Sequence, residues 1–442
     1  MSTTYLSTKP YKGARDFFPE DMRIRNYIFS VWRSICERYG FEEYDFPIVE
    51  NLEVFASKSG EEIVSTQLFS FADKGERNVA LRPELTPSTV RMIADRYNEL
   101  PKPIKWFMIG NNWRFEKPQK GRGREFYQLE GNIFGVEGVE ADFEIFSLIV
   151  AIMKEFGANE TMYRLYYSDR RLISLLLDEV LKLTQEQQLS ARRIMDKRKK
   201  VTAEEFVEML AAVGITGKAA DTIEAFMNST FSELPTLLPE KLLAENQGYQ
   251  DVLQLEQLLI DFDLMKYCQF DPGIIRGFDY SDGLVYEVFD TNPENKRSMF
   301  GGERFDRLIN VFGKFDMAAT GFAMGDITLL EFLKGWNLLP ELPTTTRVLV
   351  TRFPDDNPAI FTYAVKIAQQ LRENGISVSQ YPTKDKLEKQ LKYAEKLGIP
   401  FVVIAGEGEL EYNTVKLKEL KKRAEQTVAL SELANYFSKG KL

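Results

Sequence analysis

The fold is decided by residues 111–129, which read Asn111-Asn112-Trp113-Arg114-Phe115-Glu116, then Lys117-Pro-Gln-Lys-Gly-Arg-Gly-Arg124, then Glu125-Phe-Tyr-Gln-Leu129. Runs rich in aromatic and branched residues, 104–115 and 125–134, flank a polar loop, which predicts two strands joined by a long hairpin. An arginine fixed on a strand beside a basic loop suits an anionic triphosphate and the negative charge that develops during its reaction. A solvated hairpin tip has the same spacing, so the spacing alone leaves both interpretations open.

Outward from this hairpin, the first part of the chain predicts a sheet and one long helix. Strand-like runs occur at 41–48, 79–81, 273–289 and 298–300, and we expect them to join the hairpin in one antiparallel sheet. Residues 24–40 have the period of an amphipathic helix that ends at a glycine. The apolar face of that helix is expected to contain Ile28, Val31, Trp32 and Ile35.

The composition changes twice further along the chain. Residues from about 170 to 262 are nearly all helix formers, with the basic run Lys197–Lys200 before a Thr202-x-x-Glu205 capping box, and we expect a helical insertion. The segment 339–346 has the composition of a linker, and the alternation of strands and helices after it predicts a small α/β domain with a largely parallel sheet. The predicted boundaries are 1–170 and 263–338 for the two parts of a core, 171–262 for the insertion, 339–346 for the linker and 347–442 for the last domain.

The composition also limits the chemistry. The 442 residues carry a net charge of −9, from 57 basic and 66 acidic side chains, and include no histidine. This excludes Ser-His-Asp and Cys-His nucleophiles, zinc hydrolases of the H-E-x-x-H type and haem on a proximal imidazole. Carboxylates, Arg, Lys, hydroxyls and Mg²⁺ remain, and they suit phosphate and nucleotide chemistry. Cys36 and Cys268 are too few for a disulfide framework, and no secretion signal or membrane span is evident, so a cytoplasmic location is expected.

Three further segments contain groups suited to a ligand. Glu84 and Thr86 place a carboxylate and a hydroxyl two residues apart, which suits an ammonium group, although a helix N-cap with an ion pair has the same pattern. The segments Arg276–Tyr280 and Phe300–Asp306 combine arginine with glycine, and glycine permits a close approach of the backbone to a ligand. Tight turns have the same composition, so these segments also remain open to a structural interpretation.

In their order and spacing, these segments resemble the histidyl-tRNA synthetases, a family of class II aminoacyl-tRNA synthetases. Arg114-x-Glu116 with its basic loop matches motif 2, and Arg276–Asp279 and Gly301–Asp306 are similar to two histidine-specific segments. The other similar segments are Lys12–Pro19 (the N-terminal signature), Phe46–Glu50 (motif 1, the dimer element) and 347–442 (the anticodon-binding domain). Each motif is weak by itself, but the whole series in order is specific.

The resemblance implies an α+β fold: the antiparallel-sheet catalytic core of class II synthetases with a helical insertion, followed by a C-terminal α/β anticodon-binding domain. It also implies a homodimer that uses ATP and Mg²⁺ to activate histidine as the adenylate and transfers it to the 3′ end of tRNA(His). The Lys197–Lys200 run would then contact the acceptor arm of the tRNA, unless it is only an exposed helix face.

Roles for individual residues follow from the resemblance alone. Arg114 would bind the α-phosphate and the amino-acid carboxylate, Glu116 the adenine amino group and Arg122 the γ-phosphate. Arg276 would be catalytic together with Arg114, because it would stabilise the α-phosphoryl transition state. The predicted ATP-binding residues are Arg114, Glu116, Arg122 and Arg124. The predicted amino-acid-binding residues, the first three for the ammonium group, are Glu84, Thr86, Gln128, Asn132, Arg276, Tyr280 and Phe305. None of the site residues is expected to ligate a metal.

The chain departs from the family pattern at four positions. Asn132 stands where the family has an acidic residue, and Ser281 and Phe305 stand where it has tyrosines. Thr328 replaces the motif 3 arginine that stacks on adenine, and the loss of such a cation costs about 0.5–2 kcal/mol. Each lost polar partner in a pocket is worth about 1–3 kcal/mol, so histidine selectivity is more affected than adenylate chemistry. A rearranged pocket has three residues able to supply the missing groups: Glu130, Tyr280 and Tyr286.

Three functions are therefore distinguished. The first is an active, dimeric enzyme that ligates histidine to tRNA, and the second is a synthetase of altered amino-acid specificity. The third is a non-catalytic tRNA-binding or regulatory protein, like the synthetase-like subunit of ATP phosphoribosyltransferase. The C-terminal domain argues against that subunit, which lacks one. Amino-acid-dependent exchange between ATP and pyrophosphate separates the three functions.

Overall fold

The computed structural model describes residues 6–56, 66–119, 121–275, 283–295, 297–354 and 356–438. The chain forms two compact units. The first contains residues 25–339 and the N-terminal segment up to Phe17, and the second contains residues 18–24 and the chain from Pro340 onward. The division at Leu339 falls at the start of the segment with linker composition.

The first unit is built on a large mixed sheet and a small antiparallel sheet. Its strands are β1 (Glu42–Glu43), β2 (Val49–Asn51), β3 (Phe69–Ala72), β4 (Asn78–Leu81), β5 (Ile104–Trp113), β6 (Glu125–Phe134), β7 (Tyr163–Asp169), β8 (Cys268–Phe270), β9 (Leu284–Asp290), β10 (Ser298–Arg304) and β11 (Ala319–Gly325). Within the described residues, eight strands form the large sheet in the order β1-β5-β6-β11-β10-β9-β7-β8, and the small sheet has the order β2-β4-β3. The inner strands of the large sheet pair antiparallel, whereas β1 lies parallel to β5 and β8 parallel to β7.

This architecture confirms the expected α+β fold, but the prediction of a single antiparallel sheet is wrong. Residues 78–81 pair in the small sheet, and both edges of the large sheet are parallel. The run 41–48 contributes only the two-residue strand β1. Pro47 has no N–H to donate to a ladder, so a strand could not extend through the end of this run.

The helices follow the apolar periodicity of the sequence. Helix α1 (Pro19–Arg38) begins before the predicted Ile24, since proline is accepted in a first turn, and its predicted apolar face is buried. Residues 170–261 are mainly helical as expected, and Thr202 and Glu205 form the predicted capping box. The other helices of the first unit are α2 (Leu52–Ala56), α3 (Thr86–Asp95), α4 (Glu140–Glu155), α5 (Arg170–Ser174), α6 (Gln185–Met195), α7 (Ala203–Ala212), α8 (Lys218–Met227), α9 (Leu234–Leu237), α10 (Glu240–Glu245), α11 (Gln247–Asp261) and α12 (Asp326–Gly335).

The second unit is an α/β domain whose sheet is parallel in one half only. Its elements are β12 (Val348–Val350), α13 (Pro358–Glu373), β13 (Val378–Gln380), α14 (Leu387–Lys396), β14 (Phe401–Ile404), α15 (Glu407–Glu411), β15 (Thr414–Glu419), β16 (Ala424–Ala429) and α16 (Leu430–Ser438). The order is β13-β12-β14-β15-β16, in which β15 pairs antiparallel with β14 and β16. The prediction of a largely parallel sheet missed this hairpin, although Val415 and Leu417 alternate with lysines there.

The register of the large sheet determines which side chains meet. Strand β6 lies between β5 and β11, so that Asn132 is opposite Gly321. Strand β10 lies between β9 and β11, so that Gly302 is opposite Tyr286 on one side and Phe322 on the other. Groups distant in sequence therefore become neighbours across three ladders.

Candidate active site

A cavity of about 970 Å³ is lined by the central strands of the large sheet. Its lining also includes the loop after β5, the start of α3 and the end of α6. Eight of the eleven predicted site residues line it: Glu84, Thr86, Arg114, Glu116, Arg122, Gln128, Asn132 and Phe305. The structure thus brings together residues that three separate sequence segments contribute.

Arg114 follows strand β5, and its guanidinium group is fixed from two sides. The Nε atom donates to the carbonyl oxygen of Pro83 at 2.8 Å, and Cζ lies 5.2 Å from the centroid of the Phe126 ring. The bond to Pro83 uses one of the five N–H donors of the group. An anchored guanidinium with donors to spare is suited to a carboxylate or a phosphate, both of which it can contact through two parallel hydrogen bonds.

Glu116 and Arg122 pair with each other across the loop. Arg122 Nη1 lies 3.0 Å from Glu116 Oε2, and the side chains are 49% and 12% exposed, respectively. Because Arg122 is half-exposed, solvent screens this ion pair, which contributes on the order of 1 kcal/mol to stability. A phosphate group could therefore draw Arg122 away from Glu116 at little cost.

Arg124 does not line the cavity with the other predicted residues, and its role in binding ATP stays a prediction. Its Nε donates to the carbonyl oxygen of Glu116 at 3.1 Å and its Nη1 donates to the Tyr11 hydroxyl at 2.5 Å. The guanidinium group lies 4.0 Å from the centroid of the Phe115 ring. These contacts satisfy the cation outside the cavity and tie the loop to the N-terminal segment.

Glu84, Thr86 and Gln128 form a polar part of the cavity wall. Thr86 is the first residue of α3, but the N-cap is Leu85 and no side chain caps the helix, so the N-cap interpretation of this segment is wrong. Glu84 is buried. The side-chain oxygen of Gln128 accepts from Asn112 Nδ2 at 2.7 Å and retains a second lone pair for a ligand.

Behind Thr86 lies Glu130, which is 1% exposed and does not itself line the cavity. Thr86 Oγ1 donates to its Oε1 at 2.6 Å, while Thr89 and Tyr44 donate to its Oε2 at 3.3 Å and 3.4 Å. Burial raises the pKa of Glu130 to about 7, against the opposing effect of the Thr86 hydrogen bond. This carboxyl group therefore titrates near neutral pH.

Asn132 lines the cavity with a side chain that is 1% exposed. The amide is close enough to Glu130 to lower the pKa of that carboxyl, but neither amide atom completes a hydrogen bond of normal geometry within the described part of the chain. A Cβ atom at the opposing Gly321 would overlap Asn132 Oδ1 and would stand 2.7 Å from the carbonyl oxygen of Gly131. Asn132 therefore depends on a glycine neighbour and offers an amide to a ligand.

Tyr286 provides the other wall at this end of the cavity. It is buried, and its hydroxyl donates to the carbonyl oxygen of Gly321 at 2.8 Å. Gly302 is constrained as Gly321 is, because a Cβ atom there would overlap both that carbonyl oxygen and the Tyr286 hydroxyl. Two glycines thus keep this region open.

The remaining departures from the family pattern have visible consequences. Phe305 is buried and packs edge-on against Phe134 with 5.9 Å between ring centroids, so it adds apolar surface to the wall. The Thr328 hydroxyl donates to the carbonyl oxygen of Met299 at 2.7 Å and thereby holds strand β10. Arg276, Tyr280 and Ser281 lie outside the described residues.

The helical insertion contributes a basic edge to the cavity, of which the sequence interpretation singled out only Lys197, as a tRNA contact, and missed the two arginines. Arg192 and Arg193, in the last turn of α6, and Lys197 just after it line the cavity. Arg192 donates to the Ser174 hydroxyl at 2.9 Å, whereas Arg193 is exposed. The available signal was the pair of arginines on the polar side of an amphipathic helix, directly before the basic run.

No group of three acidic or cysteine side chains suited to a metal ion occurs among the described residues. No helix in the described ranges is long and apolar enough to cross a membrane.

Comparisons with known proteins agree over nearly the whole chain. The family model described as histidyl-tRNA synthetase matches residues 13–328, and the model described as anticodon binding domain matches residues 347–440. A histidine–tRNA ligase of Leptospira biflexa is 40% identical, with 98% of each chain covered. A histidine–tRNA ligase of Thermococcus kodakarensis is 37% identical, with 96% of this chain and 98% of its own covered.

Solved structures show the same fold at lower identity. A histidyl-tRNA synthetase from Nostoc superposes with a TM-score of 0.82 at 24% identity, covering 98% of this chain and 100% of that one. A protein from Bacillus halodurans, described as an ATP phosphoribosyltransferase regulatory subunit/histidyl-tRNA synthetase, gives a TM-score of 0.75 at 18% identity over 91% of this chain and 99% of its own.

Proposed function

The chain belongs to the histidyl-tRNA synthetase family, and on this premise we propose that its cavity joins histidine to ATP and passes the histidyl group to the 3′ end of tRNA(His). It is an aminoacyl-tRNA ligase. One observation supports the proposal above others: groups suited to phosphates, Arg114 and Arg122, and groups suited to an amino acid, Glu84 and Thr86, line one cavity.

Adenylate formation requires charge stabilisation rather than a proton acceptor. The α-carboxylate of an amino acid is already ionised at neutral pH. It attacks the α-phosphorus of ATP, the bond to the bridging oxygen breaks, and pyrophosphate leaves with the electron pair. The anchored guanidinium group of Arg114 contacts both reacting anions and lowers the repulsion between them. This step therefore requires cationic groups such as Arg114 and no imidazole base, and a chain without histidine can supply them.

The ammonium end of the amino acid is held by charge and by a hydroxyl. Glu84 is 4% exposed, and a carboxylate shielded from water attracts a cation more strongly than an exposed one. Thr86 lines the cavity two residues away. Together they orient the carboxylate of the same amino acid toward the α-phosphate.

Magnesium fits this cavity as an ion that ATP brings with it. Mg²⁺ prefers oxygen ligands, keeps several waters and often takes only one or two carboxylates beside the phosphates. Glu287 lines the cavity as a carboxylate without a role in binding the adenine or the amino acid, and the described residues contain no cluster of three acidic side chains suited to a metal ion. When bound, the ion would neutralise charge on the β- and γ-phosphates.

We also infer a homodimer formed through the segment 46–50, acting in the cytoplasm, with the insertion 171–262 and the domain 347–442 as its tRNA-binding parts. Sedimentation equilibrium tests the dimer, and a monomer at micromolar concentration would contradict it. Binding of tRNA to the chain, measured with and without excess salt, tests whether tRNA is a partner.

The decisive experiment is ATP–pyrophosphate exchange with each of the twenty amino acids. We expect exchange with histidine only. Exchange with another amino acid instead would show altered specificity, as the changes at Asn132 and Phe305 would permit. No exchange with any amino acid, combined with retention of tRNA, would overturn the proposal in favour of a tRNA-binding regulator.

A further inference from the structure

Glu130 has no part in the chemistry described above, yet it is one hydrogen bond away from the cavity. It lies on β6 between Gln128 and Asn132, which both line the cavity, and it is joined to Thr86 by the 2.6 Å bond from the Thr86 hydroxyl. The other oxygen of its carboxyl group accepts from Thr89, whose hydroxyl is also paired with that of Tyr44.

This bond determines what Thr86 can offer to a ligand. A hydroxyl has one proton and two lone pairs. Because Glu130 accepts the proton, the Thr86 oxygen presents only lone pairs to the cavity. A ligand atom at this position must therefore be a donor, such as an ammonium group, and a ligand acceptor would be repelled.

The electrostatic setting of Glu130 also favours a cation in the cavity. Its carboxyl group is surrounded by hydroxyls, the Asn132 amide and the carboxyl group of Glu84. Arg82 faces it, but donates to the carbonyl oxygens of Phe46 and Asn111 and pairs with Asp45 at 3.6 Å. Among the described residues Glu130 has no direct ion pair; burying such a carboxylate is costly, and a ligand ammonium group nearby would offset part of that cost.

We propose that Glu130 is a positioning residue for the amino acid, which holds the Thr86 proton so that the Thr86 oxygen accepts a hydrogen bond from the ammonium group of the ligand. This inference rests on the proposed function and adds a selective element to it. The ligand class it specifies at this position is a primary ammonium group.

A double-mutant cycle in the enzyme tests whether Glu130 acts through Thr86. Since hydrogen bonds to charged groups are worth about 1.5–3 kcal/mol, E130Q and T86V should each raise the KM for the amino acid about tenfold in ATP–pyrophosphate exchange. The KM for ATP should stay unchanged. In the T86V background E130Q should add little, because the hydroxyl that it orients is already absent.

The matched control is Asp290→Asn. Asp290 is also a buried carboxylate of the large sheet that accepts from neighbouring side chains, Trp336 Nε1 at 3.0 Å and Asn295 Nδ2 at 2.7 Å, but it does not line the cavity. D290N should leave both KM values unchanged. Thermal unfolding of all variants identifies any that fail to fold. T86S keeps the hydroxyl, so its KM for the amino acid should be close to that of the wild type rather than raised as in T86V.

The pH dependence of the KM for the amino acid distinguishes a positioning role of Glu130 from a merely structural one. The ammonium group favours the ionised form of Glu130, so the ratio of the amino-acid KM of E130Q to that of the wild type should rise between about pH 6 and about pH 8. Comparing the two enzymes at each pH cancels the titration of the ligand itself. Tyr44, Glu84 and Arg82 face Glu130 and are present in both enzymes.

The outcomes separate this inference from the function on which it rests. If the wild type shows no exchange with any amino acid, the proposed function fails. If the wild type is active but the effects of E130Q and T86V simply add, or the ratio does not change with pH, the positioning role of Glu130 is overturned.

Discussion

Arg122 and Glu116 form an ion pair with 3.0 Å between Nη1 and Oε2, and each partner is a group predicted to bind a different part of ATP. These two side chains thus pair with each other within the loop after β5. ATP binding at this site would separate the pair and direct the two groups to opposite ends of the nucleotide.

Replacing Arg122 with alanine should raise the KM for ATP about tenfold, because a charge-assisted bond to a phosphate is worth about 1.5–3 kcal/mol. The free energy of unfolding should change by about 1 kcal/mol or less, since Arg122 is half-exposed and solvent screens the ion pair. Exchange kinetics at varied ATP and urea unfolding measure the two effects. The control R77A removes a 2.7 Å exposed ion pair with Asp73 and should leave the KM unchanged. An unaltered KM in R122A would contradict the phosphate role.

Arg114→Lys keeps the charge but removes the planar fork. The rate of adenylate formation should fall about 10²–10³-fold, as when one donor aimed at developing charge is lost. The KM for ATP should change much less, because lysine still attracts the phosphates. Single-turnover formation of the adenylate is the measurement. Arg91→Lys, an ion-paired arginine of α3, is the control, and equal rates for the wild type and R114K would refute the assignment.

Asn132→Ala should weaken histidine binding without weakening the fold. The amide completes no hydrogen bond of normal geometry among the described residues, so its removal should leave the unfolding free energy unchanged or raise it by about 1 kcal/mol. The KM for histidine should rise about tenfold, since the ligand loses a polar partner. Calorimetry and exchange kinetics on the same preparation test both statements. A loss of stability without a change in KM would assign Asn132 a structural role only.

The basic edge of the cavity should matter for tRNA rather than for the adenylate. Arg193→Ala and Lys197→Ala should each lower kcat/KM for tRNA charging severalfold and reduce the salt dependence of tRNA binding by about one counterion. Exchange with histidine should remain nearly unchanged. Lys241, an exposed lysine of α10, offers the control substitution K241A. Equal losses in charging and exchange would instead place these cations at the triphosphate.

Glu130 should make the stability of the first unit depend on pH in a defined direction. Its pKa is about 7 in the folded chain, above the ordinary 4.5, so the unfolded chain loses the proton first and the fold loses stability as pH rises from 4.5 to about 7. The loss is on the order of 3 kcal/mol and levels off above pH 7. E130Q removes this pH dependence. In urea unfolding, the stability of the variant relative to the wild type should therefore be higher at about pH 8.5 than at about pH 5. A pH-independent difference would contradict this.

The helices could be predicted from the sequence because their signal is local. The apolar face of α1 and the capping box of α7 depend on residues three or four positions apart. Strand pairing is not local. Residues 78–81 have the composition of a strand, but nothing in them states that they join the small sheet.

Site residues could be predicted where they belong to one motif with fixed spacing along the chain. Residues that only the packing of distant segments brings to the cavity could not. The motif around Arg114 identified four of the eight predicted residues that line the cavity: Arg114, Glu116, Arg122 and Gln128. Arg124 could not be excluded from the cavity, because its direction depends on Tyr11, which is distant in sequence. Arg193 was missed since only the packing of the insertion brings it to the cavity.

Gly321 also determines how this cavity could acquire a new substrate. A side chain there meets the carbonyl oxygen of Gly131 whatever residue stands at position 132, and Gly302 is excluded in the same way by the carbonyl oxygen of Gly321. A library made to change the amino acid accepted would gain nothing from randomising either glycine. Diversity belongs at positions 132, 305 and 328, whose side chains border open volume. Changes of specificity in this cavity are thus confined to a few positions, because backbone carbonyl groups exclude a side chain at the two glycines.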